Sequence, residues 1–273
     1  TTGKLNSDGS NVIWIFHALT GNSNPEEWWP GLIGKGLPID PDKYYIVCAN
    51  VIGSCYGSTS PDSFDFPLIT IRDMVEAHQL LQTHLGINSI VLGIGGSLGG
   101  QQLLQWAVKE PSLFEIIVPI ATNAKHSAWG IAFNEAQRMA LKNEDLAKGL
   151  EAARAIAMLS YRNYHTYEAS QTDEDARIDK FSAASYQQHQ GAKLRKRFSA
   201  YSYYALSKAM DSHNVGLGFQ NVKEALAQIA SKGAVIGIDS DILFPIHEQK
   251  FLAENIANAK FYQMESLYGH DGF

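Results

Sequence analysis

Short apolar runs alternate with segments of helical periodicity along both ends of the chain. The runs with the β-branched and aromatic residues typical of strands are Val12–Phe16, Tyr45–Val51, Ile90–Ile94, Ile116–Ile120, Ala234–Ile238 and Lys260–Met264. Helical patterns lie between them, and Ile71–Leu85 is the clearest because its apolar positions share one face and Gly86 follows as a stop signal. This alternation predicts an α/β fold with a mostly parallel sheet.

The pattern changes between the fourth and fifth predicted strands. Residues 125–231 contain no β-branched runs and are rich in Ala, Leu, Gln and Lys, which favour helices. We interpret residues 125–231 as a helical cap (lid) inserted before the last strands of a core formed by residues 1–124 and 232–273. Such an insertion can cover a site at the carboxyl ends of the strands, where parallel sheets bind ligands.

Composition narrows the class of protein. The 273 residues are 45% hydrophobic and 18% charged, which is sufficient for a sizeable core. A net charge of −6 argues against nucleic acid as a partner and favours a small-molecule substrate. Cys48 and Cys55 are too few for a disulfide framework or a zinc site, which indicates thiols in a reducing cytoplasm. No segment approaches the roughly 20 apolar residues of a membrane span, so we expect a soluble, unexported protein.

A glycine-rich motif follows the third predicted strand. Gly95-Gly96-Ser97-Leu98-Gly99 fits G-x-S-x-G, and the helical run Gln101–Lys109 comes directly after it. This strand-turn-helix context is that of the nucleophile elbow of the α/β-hydrolase fold, in which a strained turn presents the serine. The alternative is a turn that only links strand to helix or holds a phosphate. We predict that Ser97 is the nucleophile.

A serine hydroxyl needs a base, and this fold supplies the acid and the histidine in the chain order Ser, Asp, His. Asp239 and Asp241 follow the strand Ala234–Ile238, and His270 follows the last strand. Spacing alone leaves both aspartates open as the acid that orients the imidazole. The other histidines lie in predicted helices, in the cap or in a strand-exit turn, and we expect structural roles for them: His17, His78, His84, His126, His165, His189, His213 and His247.

The loop His17-Ala18-Leu19-Thr20-Gly21 follows the first strand. In this fold a loop there supplies a backbone amide to the oxyanion hole, together with the amide of the residue after the nucleophile. We therefore predict that the N–H groups of Leu19 and Leu98 stabilise the oxyanion.

Together these motifs resemble the homoserine O-acetyltransferase family over nearly the whole chain. The matching segments are His17-Ala18-Leu19-Thr20-Gly21, Trp28-Trp29, Asn50-Val51-Ile52-Gly53-Ser54-Cys55-Tyr56-Gly57-Ser58-Thr59, Thr70-Ile71-Arg72-Asp73-Met74, the elbow, Phe133-Asn134-Glu135, Arg197-Phe198, Met210-Asp211-Ser212-His213, Asp239-Ser240-Asp241 with Leu243-Phe244-Pro245, and Tyr268-Gly269-His270-Asp271. So many segments in the same order make coincidence implausible.

The resemblance implies a specific reaction. It selects Asp241 as the acid, and it implies a homodimer that works by a ping-pong reaction with no metal, prosthetic group or other cofactor. Acetyl-CoA would acylate Ser97, and the hydroxyl of L-homoserine would then take the acetyl group to give O-acetyl-L-homoserine for methionine biosynthesis. An esterase or thioesterase with the same triad, or an acyltransferase with serine as acceptor or succinyl-CoA as donor, is the alternative.

The resemblance also implies how the acceptor is held. The family's Arg and Tyr seven residues apart correspond to Arg154 and Tyr161, which would share one face of a helix. Arg154 would bind the amino-acid carboxylate through paired hydrogen bonds, and Asp271 would bind the α-ammonium group. Without the resemblance, the sequence would favour the interpretation that Arg154 is a solvated charge on a cap helix.

Overall fold

Six parallel strands form one sheet in the computed structural model, which describes residues 1–273. The strands are β1 (Val12–Phe16), β2 (Tyr45–Cys48), β3 (Ile90–Gly96), β4 (Phe114–Ile120), β5 (Lys232–Ile238) and β6 (Ala259–Met264). Their order across the sheet is β2-β1-β3-β4-β5-β6, and every neighbouring pair is parallel. All carboxyl ends therefore meet at one edge, and the predicted α/β fold with a parallel sheet is confirmed.

Five strand boundaries differ from the sequence prediction. Three strands begin one or two residues earlier than predicted, β4 at Phe114, β5 at Lys232 and β6 at Ala259, and two strands end at different residues. β2 ends at Cys48 rather than Val51, because the Val51 N–H donates to the His17 ring instead of a neighbouring strand. β3 continues through Gly95 and Gly96, which pair in register with Pro119 and Ile120 of β4. Glycine has no side chain to pack in a strand, so the sequence pattern did not predict that Gly95 and Gly96 continue β3. The strand continues there through backbone pairing alone.

Four helices belong to the two chain segments that form the sheet. They are α1 (Pro25–Trp28), α2 (Ile71–Leu85), α3 (Leu98–Lys109) and α10 (Ile246–Asn255). α2 has the predicted bounds because both ends are encoded locally. Thr70 and Asp73 form a capping box, and Gly86 ends the helix in the left-handed conformation at φ 69°.

The segment between β4 and β5 contains helices and no strand of the sheet. Its helices are α4 (Ala128–Leu141), α5 (Leu146–Tyr161), α6 (Tyr164–Gln171), α7 (Ser182–Arg195), α8 (Ala200–Asp211) and α9 (Val222–Ala227). Leu141 and Tyr203 pack in one buried cluster with Leu98 of α3, whereas Ala225 and Leu226 join the main core beneath the sheet. The division into a core and a cap at residues 125 and 231 stays a prediction.

Large aromatic side chains fill the core on one face of the sheet. The Trp14 ring of β1 meets the Trp106 ring of α3 edge to face, with centroids 5.0 Å apart, and both residues are fully buried. This packing fixes α3 against β1, and therefore the start of α3 relative to the carboxyl edge of the sheet. No helix of the protein is long and apolar enough to cross a membrane.

Candidate active site

Ser97 occupies a sharp turn between β3 and α3. Its backbone has φ 55° and ψ −123°, which is strained for a residue other than glycine. The glycines on each side are required sterically, because a Cβ on Gly95 would lie 2.6 Å from the Gly99 backbone and one on Gly99 would collide with the Phe16 carbonyl. This geometry is that of a nucleophile elbow, as the motif predicted.

Asp241 and His270 meet at the same edge of the sheet. His270 Nδ1 donates to Asp241 Oδ2 at 2.7 Å, and both residues are buried. The other carboxylate oxygen, Oδ1, accepts the N–H groups of Leu243 and Phe244 at 2.8 and 2.9 Å. These contacts fix the carboxylate, and they leave Nε2 of His270 as the nitrogen that can accept a proton.

The imidazole of His270 is enclosed by aromatic rings. Phe244 stacks on it with centroids 5.1 Å apart, and Phe273 and Tyr161 lie at 5.3 and 5.5 Å. Phe273 also contacts the Gly96 position, next to Ser97. The Ser97 hydroxyl makes no hydrogen bond to His270, a contact that is often long before substrate binds. The structure thus joins acid to histidine directly and brings the serine to the same aromatic cluster.

The two amides expected at the oxyanion hole are free of backbone acceptors in the protein. Leu98 is the first residue of α3, where N–H groups have no intrahelical partner, and the Leu19 N–H makes no hydrogen bond. Both side chains are buried in one apolar cluster. Two unpaired amides in this region are what an oxyanion hole requires.

His17 holds the loop that carries Leu19. Its Nδ1 donates to the Ala18 carbonyl at 2.8 Å, and its Nε2 accepts the Val51 N–H at 3.1 Å. Burial lowers the pKa of His17, so the ring is neutral and both nitrogens are occupied. The structural role expected for His17 fits this geometry.

Arg197 braces the same loop from the α7–α8 connection, and sequence reasoning gave it no role. Its guanidinium donates to the Thr20 carbonyl at 2.6 Å, to the Thr20 hydroxyl at 3.2 Å and to the Tyr56 hydroxyl at 3.0 Å. The only available signal was the matching pair Arg197-Phe198, because a single arginine in a basic segment looks like a solvated charge.

Arg154 and Tyr161 lie on one face of α5. The guanidinium carbon of Arg154 is 5.1 Å from the Tyr161 ring centroid, and that ring contacts His270. Arg154 has no carboxylate within ion-pair distance in the protein. Burial raises the pKa of the Tyr161 phenol, and the charge of Arg154 opposes that rise. An unpaired cation that is separated from His270 by the Tyr161 ring suits an anionic substrate group.

Asp271 is next to His270 but is already engaged. Arg162 Nε lies 3.1 Å from Asp271 Oδ2, and the Arg162 guanidinium carbon lies 5.0 Å from the Tyr268 ring centroid. Sequence reasoning missed this pair, because Arg162 lies far from Asp271 along the chain. Both residues line a cavity of about 470 Å³ that also reaches Arg197. Arg154 and Tyr161 do not line this cavity.

Glu248 is a second residue that the sequence did not single out. Burial raises the pKa of its carboxyl to about 7, and the nearby charge of Asp241 adds to the rise. Asn123 donates to it at 3.0 Å, so the two side chains form a partly buried polar pair.

Four histidines other than His270 are buried in hydrogen-bonded positions. Burial lowers the pKa of His17, and it lowers the pKa of His78 and His126 to about 4 and that of His213 to about 3. None of them is hydrogen-bonded to Ser97 or Asp241. The structure has no group of three or more His, Cys, Asp or Glu side chains that could hold a metal ion.

Comparison with known proteins identifies the class and then the family. The α/β-hydrolase-fold family model matches residues 11–273, so the chain is an α/β-hydrolase-fold protein. Homoserine O-acetyltransferase from Cyclobacterium marinum is 47% identical over 292 residues, which cover 100% of this chain and 83% of the relative. The chain therefore belongs to the homoserine O-acetyltransferase family of acyltransferases, as the motifs predicted, and is an enzyme.

Solved structures agree on the fold. Homoserine O-acetyltransferase from Staphylococcus aureus superposes with a TM-score of 0.84 at 31% identity, covering 97% of this chain and 81% of that one. Esterase E22 superposes with a TM-score of 0.86 at 21% identity, covering 98% and 87%. At that identity the second likeness shows the fold alone.

Proposed function

We propose that this enzyme transfers an acetyl group from acetyl-CoA to the hydroxyl of L-homoserine, through an acetyl-serine intermediate on Ser97. The observation that carries the proposal is the 2.7 Å hydrogen bond between Asp241 and His270 at the sheet edge where the strained Ser97 turn ends β3. The 47% identity to a homoserine O-acetyltransferase supports the choice of donor and acceptor.

The first half-reaction acylates Ser97. His270 Nε2 takes the hydroxyl proton while Ser97 Oγ attacks the thioester carbonyl, and the amides of Leu19 and Leu98 stabilise the oxyanion. Asp241 stabilises the imidazolium that forms. The tetrahedral intermediate then breaks its C–S bond, and His270 returns the proton to the sulfur of the leaving CoA.

The second half-reaction deacylates Ser97. His270 takes the proton of the homoserine hydroxyl, whose oxygen attacks the acetyl-serine ester. The C–O bond to Ser97 breaks, Ser97 recovers a proton from His270, and O-acetyl-L-homoserine leaves for methionine biosynthesis. Water would give hydrolysis instead, so transfer requires a site from which water is excluded.

The acceptor is held by three side chains in this proposal. Arg154 is free to pair with its carboxylate, Tyr161 lies between Arg154 and His270, and Asp271 takes the α-ammonium group. Asp271 would then share its charge between Arg162 and the substrate. We further propose a cytoplasmic homodimer that uses no metal or prosthetic group. Its two free cysteines suit a reducing compartment.

Intact-protein mass spectrometry with acetyl-CoA alone tests the intermediate. We expect one acetyl group on Ser97, none in the Ser97→Ala variant, and normal acetylation in Ser231→Ala, a buried serine just before β5. Turnover is then measured with acetyl-CoA or succinyl-CoA and with homoserine, serine or no acceptor. Acetylation elsewhere, or CoA release that no acceptor increases, would overturn the proposal.

A further inference from the structure

Asn163 lies at the junction of α5 and α6, where the cap helices meet the loops that carry Asp241 and His270. It is the N-cap of α6, and its Oδ1 accepts the Thr166 N–H at 3.0 Å. The residue is only 8% exposed, although asparagine caps are common on exposed helices. Its burial indicates contacts beyond the cap.

Both side-chain N–H groups of Asn163 leave the cap and bind the two catalytic loops. Nδ2 donates to the Ser240 carbonyl at 3.3 Å and to the Leu267 carbonyl at 3.3 Å. Ser240 precedes Asp241, and Leu267 precedes the turn that carries His270. The Thr166 hydroxyl also donates to the Leu267 carbonyl.

The two loops are hydrogen-bonded to each other as well. The Ser240 hydroxyl donates to the Ser266 carbonyl and accepts the Gly269 N–H at 3.0 Å. Gly269 has φ 61°, and a Cβ there would lie 2.6 Å from the Tyr161 carbonyl. The histidine turn therefore sits directly against the carboxyl end of α5.

We propose that Asn163 is a positioning residue that sets the distance between the acid loop and the histidine turn. The inference rests on the proposed roles of Asp241 and His270. A primary amide has two N–H donors, and here each one holds the backbone of a different loop.

Asn163→Asp separates this role from helix capping. Aspartate has nearly the same shape and is an equally good N-cap, but an ionised carboxylate cannot donate to either carbonyl. His270 acts in both half-reactions, so we expect the rates of Ser97 acetylation and of acetyl transfer to homoserine to fall by the same factor, about 10- to 100-fold. KM for acetyl-CoA should change by less than about twofold, since no donor contact is lost.

Asn221→Asp is the matched control. Asn221 is the N-cap of α9, where its Oδ1 accepts the Glu224 N–H at 3.0 Å, and its Nδ2 makes no hydrogen bond to either catalytic loop. Its activity should stay at the wild-type level. Equal activity of the two variants would overturn the proposal. Slowing of transfer alone would also overturn it, because that result assigns Asn163 to acceptor binding.

Two further arms keep the test decisive. If Asn163→Asp does not fold, as judged by circular dichroism, Thr166→Val removes the hydroxyl bonds to the Leu267 carbonyl and to Asn163 Oδ1 and keeps both N–H donors of Asn163. We expect a smaller loss, shared by both half-reactions, and no loss would refute positioning. Turnover of p-nitrophenyl acetate needs the Asp241–His270 pair whatever the natural acceptor. If the wild-type enzyme does not acetylate homoserine, the proposed function is disproved. The loss of p-nitrophenyl acetate turnover in Asn163→Asp still measures positioning in that case.

Discussion

Two buried histidines each lie near an aspartate, but only one of the two aspartates is hydrogen-bonded to its histidine. At the carboxyl edge of the sheet, His270 is 2.7 Å from Asp241, whose second oxygen is held by backbone amides. In the helical segment between β4 and β5, His126 is 3.9 Å from Asp211. Asp211 is paired instead with Arg138 at 2.6 Å.

The surroundings of His126 complete the contrast. Its ring nitrogens lie 3.2 Å from the side-chain amides of Gln101 and Asn134, and burial lowers its pKa to about 4. A buried imidazole without a carboxylate of its own is therefore neutral near pH 7 and acts as a link in a hydrogen-bond network. Of these two histidines, only His270 is hydrogen-bonded to a carboxylate, which is the arrangement that the proposed catalytic base requires.

The largest expected effect comes from removing the carboxylate in the first pair. Asp241→Asn should lower turnover by about 10⁴-fold, because the amide no longer sets the imidazole tautomer or stabilises the imidazolium. Asp239→Asn should cost far less, since Asp239 is exposed and accepts only the Ser266 N–H at 3.1 Å. Steady-state turnover of both variants decides the matter, and an exchange of their behaviour would assign the acid to Asp239.

These aspartates show how far sequence reasoning reaches. The alternation of strands and helices, the elbow and α2 are encoded by neighbouring residues, so their patterns predicted them closely. The choice between Asp239 and Asp241 depended on family resemblance, because both occupy the same loop. Spacing along the chain says nothing about which carboxylate faces the imidazole.

Contacts between residues that are far apart along the chain could not be predicted from the sequence for the same reason. The Arg162–Asp271 pair joins the end of α5 to the last turn, and Asn163 reaches two loops from the start of α6. Each is a single polar residue without a local motif. Only the packing of α5 against the histidine turn makes them partners.

A smaller effect is expected from replacing Arg154, because it should slow only one of the two half-reactions in which His270 acts. Arg154→Ala should leave Ser97 acetylation nearly unchanged and lower kcat/KM for homoserine by about 10- to 100-fold, because a charge-assisted hydrogen bond contributes roughly 1.5–3 kcal/mol. Arg154→Lys should recover only part, since an ammonium lacks the planar fork. Pre-steady-state acetylation is compared with steady-state transfer. Equal slowing of both steps would mean that Arg154 is not the acceptor clamp.

The smallest effect concerns stability and tests the second histidine environment. The folded-state pKa of His126, about 4, lies below the ordinary value of 6.5, so between these values the unfolded chain binds more protons than the folded one. Its contribution to stability is therefore complete above pH 6.5 and is lost as pH falls toward 4. The slope is at most about 1.4 kcal/mol per pH unit for one histidine.

Urea unfolding of the wild type and of His126→Gln at pH 7, 6 and 5 measures how His126 contributes to the pH dependence of the free energy of unfolding. Carboxylates also titrate in part of that range, but those away from His126 contribute equally to both proteins, so the difference between the two slopes reports on His126 and on the adjacent Asp211. We expect a shallower pH dependence in His126→Gln and an unchanged one in His84→Gln, which replaces an exposed histidine of α2. If His126→Gln keeps the wild-type slope, then His126 binds protons equally in the folded and unfolded states, and burial does not lower its pKa. Asp211 would then support it despite Arg138, and the distinction between the two histidine–aspartate pairs would fail.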